Sequence, residues 1–143
     1  MSLPLFIMLE KKLNENMIFL RVDKDEEIIS KIKEISQKYR VNSGRVTGIG
    51  ALKRAILGYY TGEKYAKTEV NENMELISCL GDISSEEGYT IHLHSVLGNR
   101  YGDTKAGHLF EGVISYTGEF FIEIFPEKLE RKYDRTTKLN VIE

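Results

Sequence analysis

The stretch IHLHSVLGNRYGDTKAGHLF, residues 91–110, decides the fold because it joins two strand-like segments through a turn-rich loop. The flanking segments are rich in β-branched and other apolar residues, whereas LGNRYGDTKAG between them concentrates glycine, asparagine and aspartate. This pattern predicts an antiparallel β-hairpin. All the histidines of the chain lie within the stretch, and they are His92, His94 and His108.

Further strand patterns precede and follow this hairpin. Short apolar runs are bounded by glycine or charged residues, which is typical of antiparallel strands. The predicted strands cover residues 17–22, 45–52, 55–61, 74–80, 89–97, 106–116 and 119–125. One long helix is predicted after the first strand from the helical spacing of Ile28, Ile32 and Ile35, with Asp25 as its N-cap.

This order of elements predicts one α/β domain of the α+β type. Strands dominate and the later connections are short, which favours a mainly antiparallel sheet over alternating parallel units. The sheet is expected to carry one long helix, and short extra helices are possible. The predicted divisions are an N-terminal segment, 1–16, the domain, 17–126, and a polar C-terminal tail, 127–143. The tail is expected to dock on a neighbour or to fray. The apolar opening MSLPLFIML is expected to be irregular or strand-forming.

The composition is that of a globular domain without a strong charge bias. A chain of 143 residues, 41% of them hydrophobic, is long enough to bury a sizeable core. Its 20 basic and 22 acidic residues leave a formal charge of -2, whereas a domain that neutralises many phosphates usually has a basic surplus. The charge therefore gives DNA binding no support. A single cysteine and the lack of an apolar run near ~20 residues predict a cytoplasmic protein outside the membrane.

The three histidines are the strongest candidates for chemistry. Strand alternation places His92 and His94 on one face, about 7 Å apart along the backbone. If the loop folds as a hairpin, His108 returns on the adjacent strand, where cross-strand neighbours lie roughly 5 Å apart. Three imidazoles then surround one divalent metal ion and leave its fourth position open, as in an open zinc site. The alternative is that these histidines are ordinary polar residues of a strand.

Catalysis would also need a general base or a nucleophile. Glu119 is the first candidate for a base near the ion, followed by Glu123 and Glu75, and each is otherwise a solvated strand residue. Cys79 is a candidate nucleophile, although a small buried residue is the commoner role for a cysteine. The glycines of SGRVTGIGAL precede a strand rather than a helix, so they indicate bulges or close backbone approach and not a dinucleotide loop.

With these motifs assembled, the chain resembles the plant and prokaryote conserved (PPC) domain from about residue 19 to residue 125. The resemblance rests on the ordered motifs SGRVTGIGAL, AILGYY, MELISCLGDI, HLHSVLGNRYGDTKAGHL and EGVISYTGEFFIEI, which follow the helix. It implies a compact, largely antiparallel domain that associates as a homotrimer. It also implies that His92, His94 and His108 match a histidine cluster that holds a metal ion in bacterial and archaeal members. Ala106 replaces the first glycine of the family's usual GGH.

Two functions follow from the residues and the resemblance. The first is a candidate DNA-binding or regulatory binding module, which is a homotrimer with a three-histidine metal site and binds a protein partner or a small ligand. Plant members carry a separate Arg-Gly-Arg-Pro AT-hook that contacts DNA, and this chain has none, so DNA contact does not carry over. The alternative is a metal-dependent hydrolase or lyase-type enzyme that acts on a small anionic substrate. We expect a divalent ion, with zinc as the first candidate.

Overall fold

The structure, a computed structural model, describes residues 9–85 and 88–143. The described residues form one helix, α1 (Ile28–Lys38), and nine strands. The strands are β1 (Glu10–Asn14), β2 (Met17–Asp23), β3 (Gly44–Tyr60), β4 (Tyr65–Val70), β5 (Met74–Ser85), β6 (Tyr89–Gly98), β7 (Thr104–Ile124), β8 (Arg131–Asp134) and β9 (Leu139–Ile142). The prediction for the opening MSLPLFIML falls on residues outside this description, apart from Leu9.

Seven strands form one antiparallel sheet in the order β1-β2-β7-β6-β5-β3-β4. A further pairing of β7 with β3 closes the sheet on itself, so that β3, β5, β6 and β7 form a ring. Among the described strands, β8 and β9 pair only with each other, as a C-terminal hairpin. The predicted single domain with a mainly antiparallel sheet and one long helix is confirmed.

The two longest strands, β3 and β7, are each continuous where the sequence patterns predict two separate strands. The predicted breaks fall at residues 53–54 and 117–118, inside the observed strands. The β3–β7 register shifts at three places, and such bulges let a strand bend without leaving its sheet. The glycine and polar residues that resemble turns in the sequence therefore lie in bent, paired strand. Strands β1, β4, β8 and β9 were not predicted.

The helix α1 packs its apolar face against the sheet. Ile28, Ile32 and Ile35 are fully buried, as their helical spacing predicts, and they belong to one core with Phe120. A Cβ atom added to Gly48 would lie 2.2 Å from the Phe120 ring, which confirms that this glycine permits close approach. No helix in the described part of the chain is long and apolar enough to span a membrane.

The N-cap of α1 is Glu27 and not the predicted Asp25. The Glu27 carboxylate accepts hydrogen bonds from the backbone N–H groups of Ile29 and Ser30, both at 2.9 Å. It also accepts one from the N–H of Gly112 at 3.1 Å, which ties the start of the helix to β7. Asp25 has a φ of 71° and lies in the preceding turn, where its left-handed backbone is incompatible with an extended N-cap.

Candidate metal centre

The pairing of β5, β6 and β7 brings the three histidines together on the outward face of the sheet. His94 pairs with Leu80 of β5 on one side and with His108 of β7 on the other. His92 lies two residues before His94 and pairs with Asp82. Directly paired residues point to the same face, so the alternation along β6 and the hairpin to β7 produce the predicted cluster.

The distances within this cluster suit a single ion. The ring centroids are 5.0 Å apart for His92 and His94, 5.1 Å for His92 and His108, and 5.5 Å for His94 and His108. One ring nitrogen from each residue lies within 4.8 Å of the others. The Nε2 atoms of His92 and His94 are 3.2 Å apart, which is close to the roughly 3.3 Å between two nitrogens on a tetrahedral zinc ion. The donor set therefore fits a divalent ion.

The protonation state of the cluster also suits a metal. Burial, and then the charges of the neighbouring histidines and Lys67, lower the pKa of His108 to about 4. Burial and the charge of His92 lower the pKa of His94. A metal binds the neutral imidazole, so these two ligands need not release a proton near neutral pH. The buried Nδ1 of His108 has no hydrogen-bond partner among the described residues, and coordination of an ion through that atom would satisfy its lone pair.

Asp82 and Arg131 support His92 from behind the cluster, and the sequence patterns did not predict this role for either residue. An oxygen of Asp82 lies 3.7 Å from the Nδ1 of His92, and the other accepts a hydrogen bond from Arg131 at 2.8 Å. Burial opposes ionisation of Asp82, but the nearby His92 and the bonded Arg131 outweigh it and lower the carboxyl pKa. The Arg131 guanidinium also lies 3.4 Å from the Nδ1 of His92. When the Nε2 of a histidine binds a metal, a carboxylate at its Nδ1 fixes the tautomer and the ring orientation.

Arg131 comes from the C-terminal hairpin, which docks beside the histidines instead of fraying. Its side chain is only 10% exposed. Besides Asp82, it donates hydrogen bonds to Ser84 Oγ at 2.7 Å and to the carbonyl oxygen of Asn140 at 3.0 Å. A cavity of about 340 Å³ lies between this hairpin and the cluster. Its lining comprises Tyr65, Thr90, Ile91, His92, His108, Arg131, Leu139, Asn140 and Val141.

The acidic residues and the cysteine predicted as catalytic candidates lie elsewhere. Glu119 and Glu75 line a different cavity, which contains none of the histidines. Glu123 accepts hydrogen bonds from Arg45. Cys79 is fully buried, and its burial raises the pKa of the thiol to about 11, so it remains a protonated thiol near neutral pH. The structure thus brings together the three histidines but not the candidate bases.

The metal-free protein is expected to lose stability as the pH falls from about 6.5 to about 4. The pKa of His108 is about 4 in the folded chain, against an ordinary value near 6.5. Between these values the unfolded chain binds the proton and the folded chain does not, so the free energy of unfolding rises with pH. After allowance for solvent screening of this half-buried ring, we expect a loss on the order of 1 kcal/mol, measurable by urea unfolding.

The variant His108→Gln is the control for this pH dependence, because it keeps a polar side chain that does not titrate. Carboxylates elsewhere contribute equally to both proteins, so the difference between the two pH profiles isolates His108. A profile that is as steep in the variant as in the parent would contradict the assignment of a lowered pKa to His108.

The sequence profile of the Plants and Prokaryotes Conserved (PCC) domain, the PPC domain named above, matches residues 10–126. No curated protein matches the chain. Solved structures similar over nearly the whole chain include a candidate DNA-binding protein of Bacteroides thetaiotaomicron, with 27% identity and a TM-score of 0.90, covering 95% of this chain and 96% of that one.

Two archaeal structures have the same fold. A plant- and prokaryote-conserved protein of Pyrococcus horikoshii has 30% identity and a TM-score of 0.83, with 96% of this chain and 95% of that one covered. A metal-containing protein of Archaeoglobus fulgidus has 27% identity and a TM-score of 0.82, with 98% and 99% covered. These similarities extend beyond the matched domain to nearly the full length of each chain.

Proposed function

Since this chain belongs to the Plants and Prokaryotes Conserved domain family, we propose that it is a homotrimeric regulatory binding module with a divalent ion, most simply zinc, on His92, His94 and His108. The observation that carries the proposal is the convergence of three imidazole nitrogens within 4.8 Å of one another. The similar Archaeoglobus fulgidus protein is metal-containing, which supports it. A bound ion would supply an electrophilic centre with a free position for an outside ligand.

In this proposal the supporting residues act on the geometry of His92. Arg131 holds Asp82 and also lies 3.4 Å from the Nδ1 of His92. When an ion binds Nε2, the Nδ1–H of His92 would turn to Asp82, which is now 3.7 Å away. We expect Arg131→Gln to lower zinc affinity by roughly 10- to 100-fold, the usual effect of removing such a supporting group. Competition with a chelator measures this affinity. Arg21→Gln is the matched control, because Arg21 pairs with Asp23 on β2, and it is expected to leave the affinity unchanged.

An unchanged affinity in Arg131→Gln would contradict the role of this arginine in positioning His92. Thermal unfolding of the same variants separates that role from a general loss of stability. A lower melting temperature with normal zinc affinity would indicate that Arg131 only anchors the hairpin.

The homotrimer is supported by apolar side chains that the single chain leaves exposed on its sheet. Ile49 and Ile77 are each 55% exposed, and they line one cavity with Tyr116. Leu80 is also 55% exposed and lines a second cavity with Phe121. Clusters of exposed apolar side chains of this kind mark protein interfaces. We therefore propose that copies of the chain cover β3, β5 and β7 of one another.

Light scattering on the parent protein is expected to give the mass of three chains. Ile49→Glu is expected to shift the mass towards a monomer, because a charge buried in an interface without a partner is costly. The single chain of this variant should still fold, because Ile49 is exposed in the parent chain and does not belong to its core. Tyr101→Glu is the control, since Tyr101 lies in the loop between β6 and β7 and is expected to keep the parent mass. A parent protein that is a stable monomer would end the trimer proposal.

DNA is the partner suggested by the similar Bacteroides thetaiotaomicron protein, a candidate DNA-binding protein. The formal charge of -2 gives no basic surplus for the phosphate backbone. We therefore propose a protein or a small ligand as the partner in preference to DNA. Binding to duplex DNA that weakens steeply as salt rises would reverse this order, whereas no binding at low salt would exclude DNA as a partner.

An enzymatic function has less support than a binding function. The candidate base Glu119 lies in a different cavity from the one beside the histidines. Asp82, the carboxylate near His92, is paired with Arg131 and has a lowered pKa, which makes it a weak proton acceptor. The arrangement therefore favours the binding of an ion and a ligand, and not catalysis.

A further inference from the structure

We propose that the cavity between the histidine cluster and the C-terminal hairpin binds a small carboxylate that has an apolar body. The carboxylate would take the free position on the ion, and the apolar body would lie against β9 and the start of β6. This inference rests on the metal site proposed above and names the class of ligand that the site would take. The cavity volume of about 340 Å³ is in the range of small-molecule sites.

The lining of the cavity combines polar and apolar side chains. Its polar members include His92 and His108, which would hold the ion, and Arg131. Its apolar members include Ile91 of β6 and Leu139 and Val141 of β9. A ligand that satisfies both kinds of side chain needs an oxygen donor and a hydrocarbon body, since a wholly polar ligand would lose its water against the apolar side chains.

The charge around the polar members of the lining favours an anionic donor. Three neutral imidazoles leave the positive charge of a divalent ion uncompensated, and a carboxylate can both ligate and neutralise it. The Arg131 guanidinium is fixed at the wall by its bonds to Ser84 and to the carbonyl of Asn140. Asp82 offsets most of the arginine's charge, so the attraction for an anion depends mainly on the ion. Ligand binding should therefore require metal.

Part of the cavity lining comes from the C-terminal hairpin, which lies beyond the matched domain. The family profile covers residues 10–126, whereas Arg131, Leu139 and Val141 lie after it. The histidines would supply a general anchor for an anion, and the hairpin would select the shape of its apolar body. Changes in β9 should accordingly alter ligand preference without altering metal binding.

Benzoate and benzyl alcohol form a suitable pair of probes, because they share a ring and differ in charge. Titration calorimetry on the zinc-loaded full chain is expected to show benzoate binding at least tenfold more tightly than benzyl alcohol. The metal-free protein is expected to bind benzoate at least tenfold more weakly than the loaded protein. Equal affinity with and without zinc would overturn the role of the ion as the anchor.

A variant of the hairpin tests the position of the ligand. Val141→Trp adds bulk to the apolar wall, and Val141 is far enough towards the surface for the hairpin to keep its fold. It is expected to keep its zinc and to lose at least tenfold in benzoate affinity. Thr136→Trp adds the same ring in the hairpin turn, outside the cavity lining, and should bind benzoate as the parent does.

The outcomes separate this inference from the metal site on which it rests. Zinc-loaded parent protein that does not bind benzoate, or Val141→Trp that binds it normally, would overturn the carboxylate site and leave the metal site standing. A parent protein that takes up no zinc would overturn the metal site and the ligand site together. Elemental analysis of every sample used for calorimetry distinguishes the two cases.

Discussion

Replacing His94 by alanine is expected to lower the affinity of the protein for zinc by at least roughly a hundredfold. The effect should exceed the 10- to 100-fold typical of supporting residues, because a direct ligand is lost and two imidazoles remain. His94 is the exposed member of the cluster, so its removal should hardly change the core. Chelator competition measures the affinity, and thermal unfolding of the metal-free protein should give nearly the parent melting temperature.

The control for this variant is Lys105→Ala, which removes an exposed side chain at the start of β7, on the same hairpin. It is expected to bind zinc as the parent does. The interpretation of the histidines as ordinary polar strand residues predicts no difference between the two variants. Parent-like zinc affinity in His94→Ala would support that interpretation and contradict the metal site.

Gly81→Ala is expected to destabilise the fold by about 3 kcal/mol and to weaken the metal site at the same time. A Cβ atom at Gly81 would lie 1.8 Å from the carbonyl oxygen of His92 and 2.8 Å from its carbonyl carbon. Backbone on a paired strand cannot rotate away as a side chain can, so β5 and β6 must separate beside His92. Urea unfolding measures the loss of stability, and chelator competition measures the weaker zinc binding.

Gly98→Ala is the matched control, because Gly98 is also a glycine in the β5–β6 pair. Of the residues that the structure describes, its added Cβ would meet only side-chain atoms of Ile77, at 3.3 Å. Since these atoms are at the end of a flexible side chain and need to move by only a few tenths of an ångström, we expect a change below about 1 kcal/mol. Equal stability of the two variants would contradict the close backbone contact between Gly81 and His92.

The histidine cluster was predictable because its geometry depends on local rules. Alternation along a strand places His92 and His94 on one side, and a turn-rich loop returns the chain so that His108 faces His94. Neither rule needs the positions of distant strands. The same holds for α1, whose buried isoleucines follow directly from a 3.6-residue period.

Asp82 and Arg131 were not predictable by such rules, because their roles depend on non-local pairing. Asp82 reaches His92 only in the observed β5–β6 register, and a shift of one residue would turn it to the opposite face. Arg131 reaches Asp82 only because the C-terminal hairpin docks there.

The lengths of β3 and β7 were missed for a related reason. Both strands contain glycine or polar residues that resemble turns in the sequence, such as YTG at residues 116–118. In the closed sheet each strand bends at bulges and keeps its hydrogen bonds to neighbours on both sides. Whether such residues end a strand or bend it depends on the partners available, and those come from distant parts of the chain.

Elemental analysis of the purified protein tests the metal site most directly. After exposure to zinc and removal of the excess, the parent is expected to retain about one zinc ion per chain, and the variant with both His92 and His94 replaced by alanine almost none. Circular dichroism of the same samples ensures that folded material is compared. A parent without bound metal, or a double variant that retains as much zinc as the parent, would contradict an ion held by these histidines.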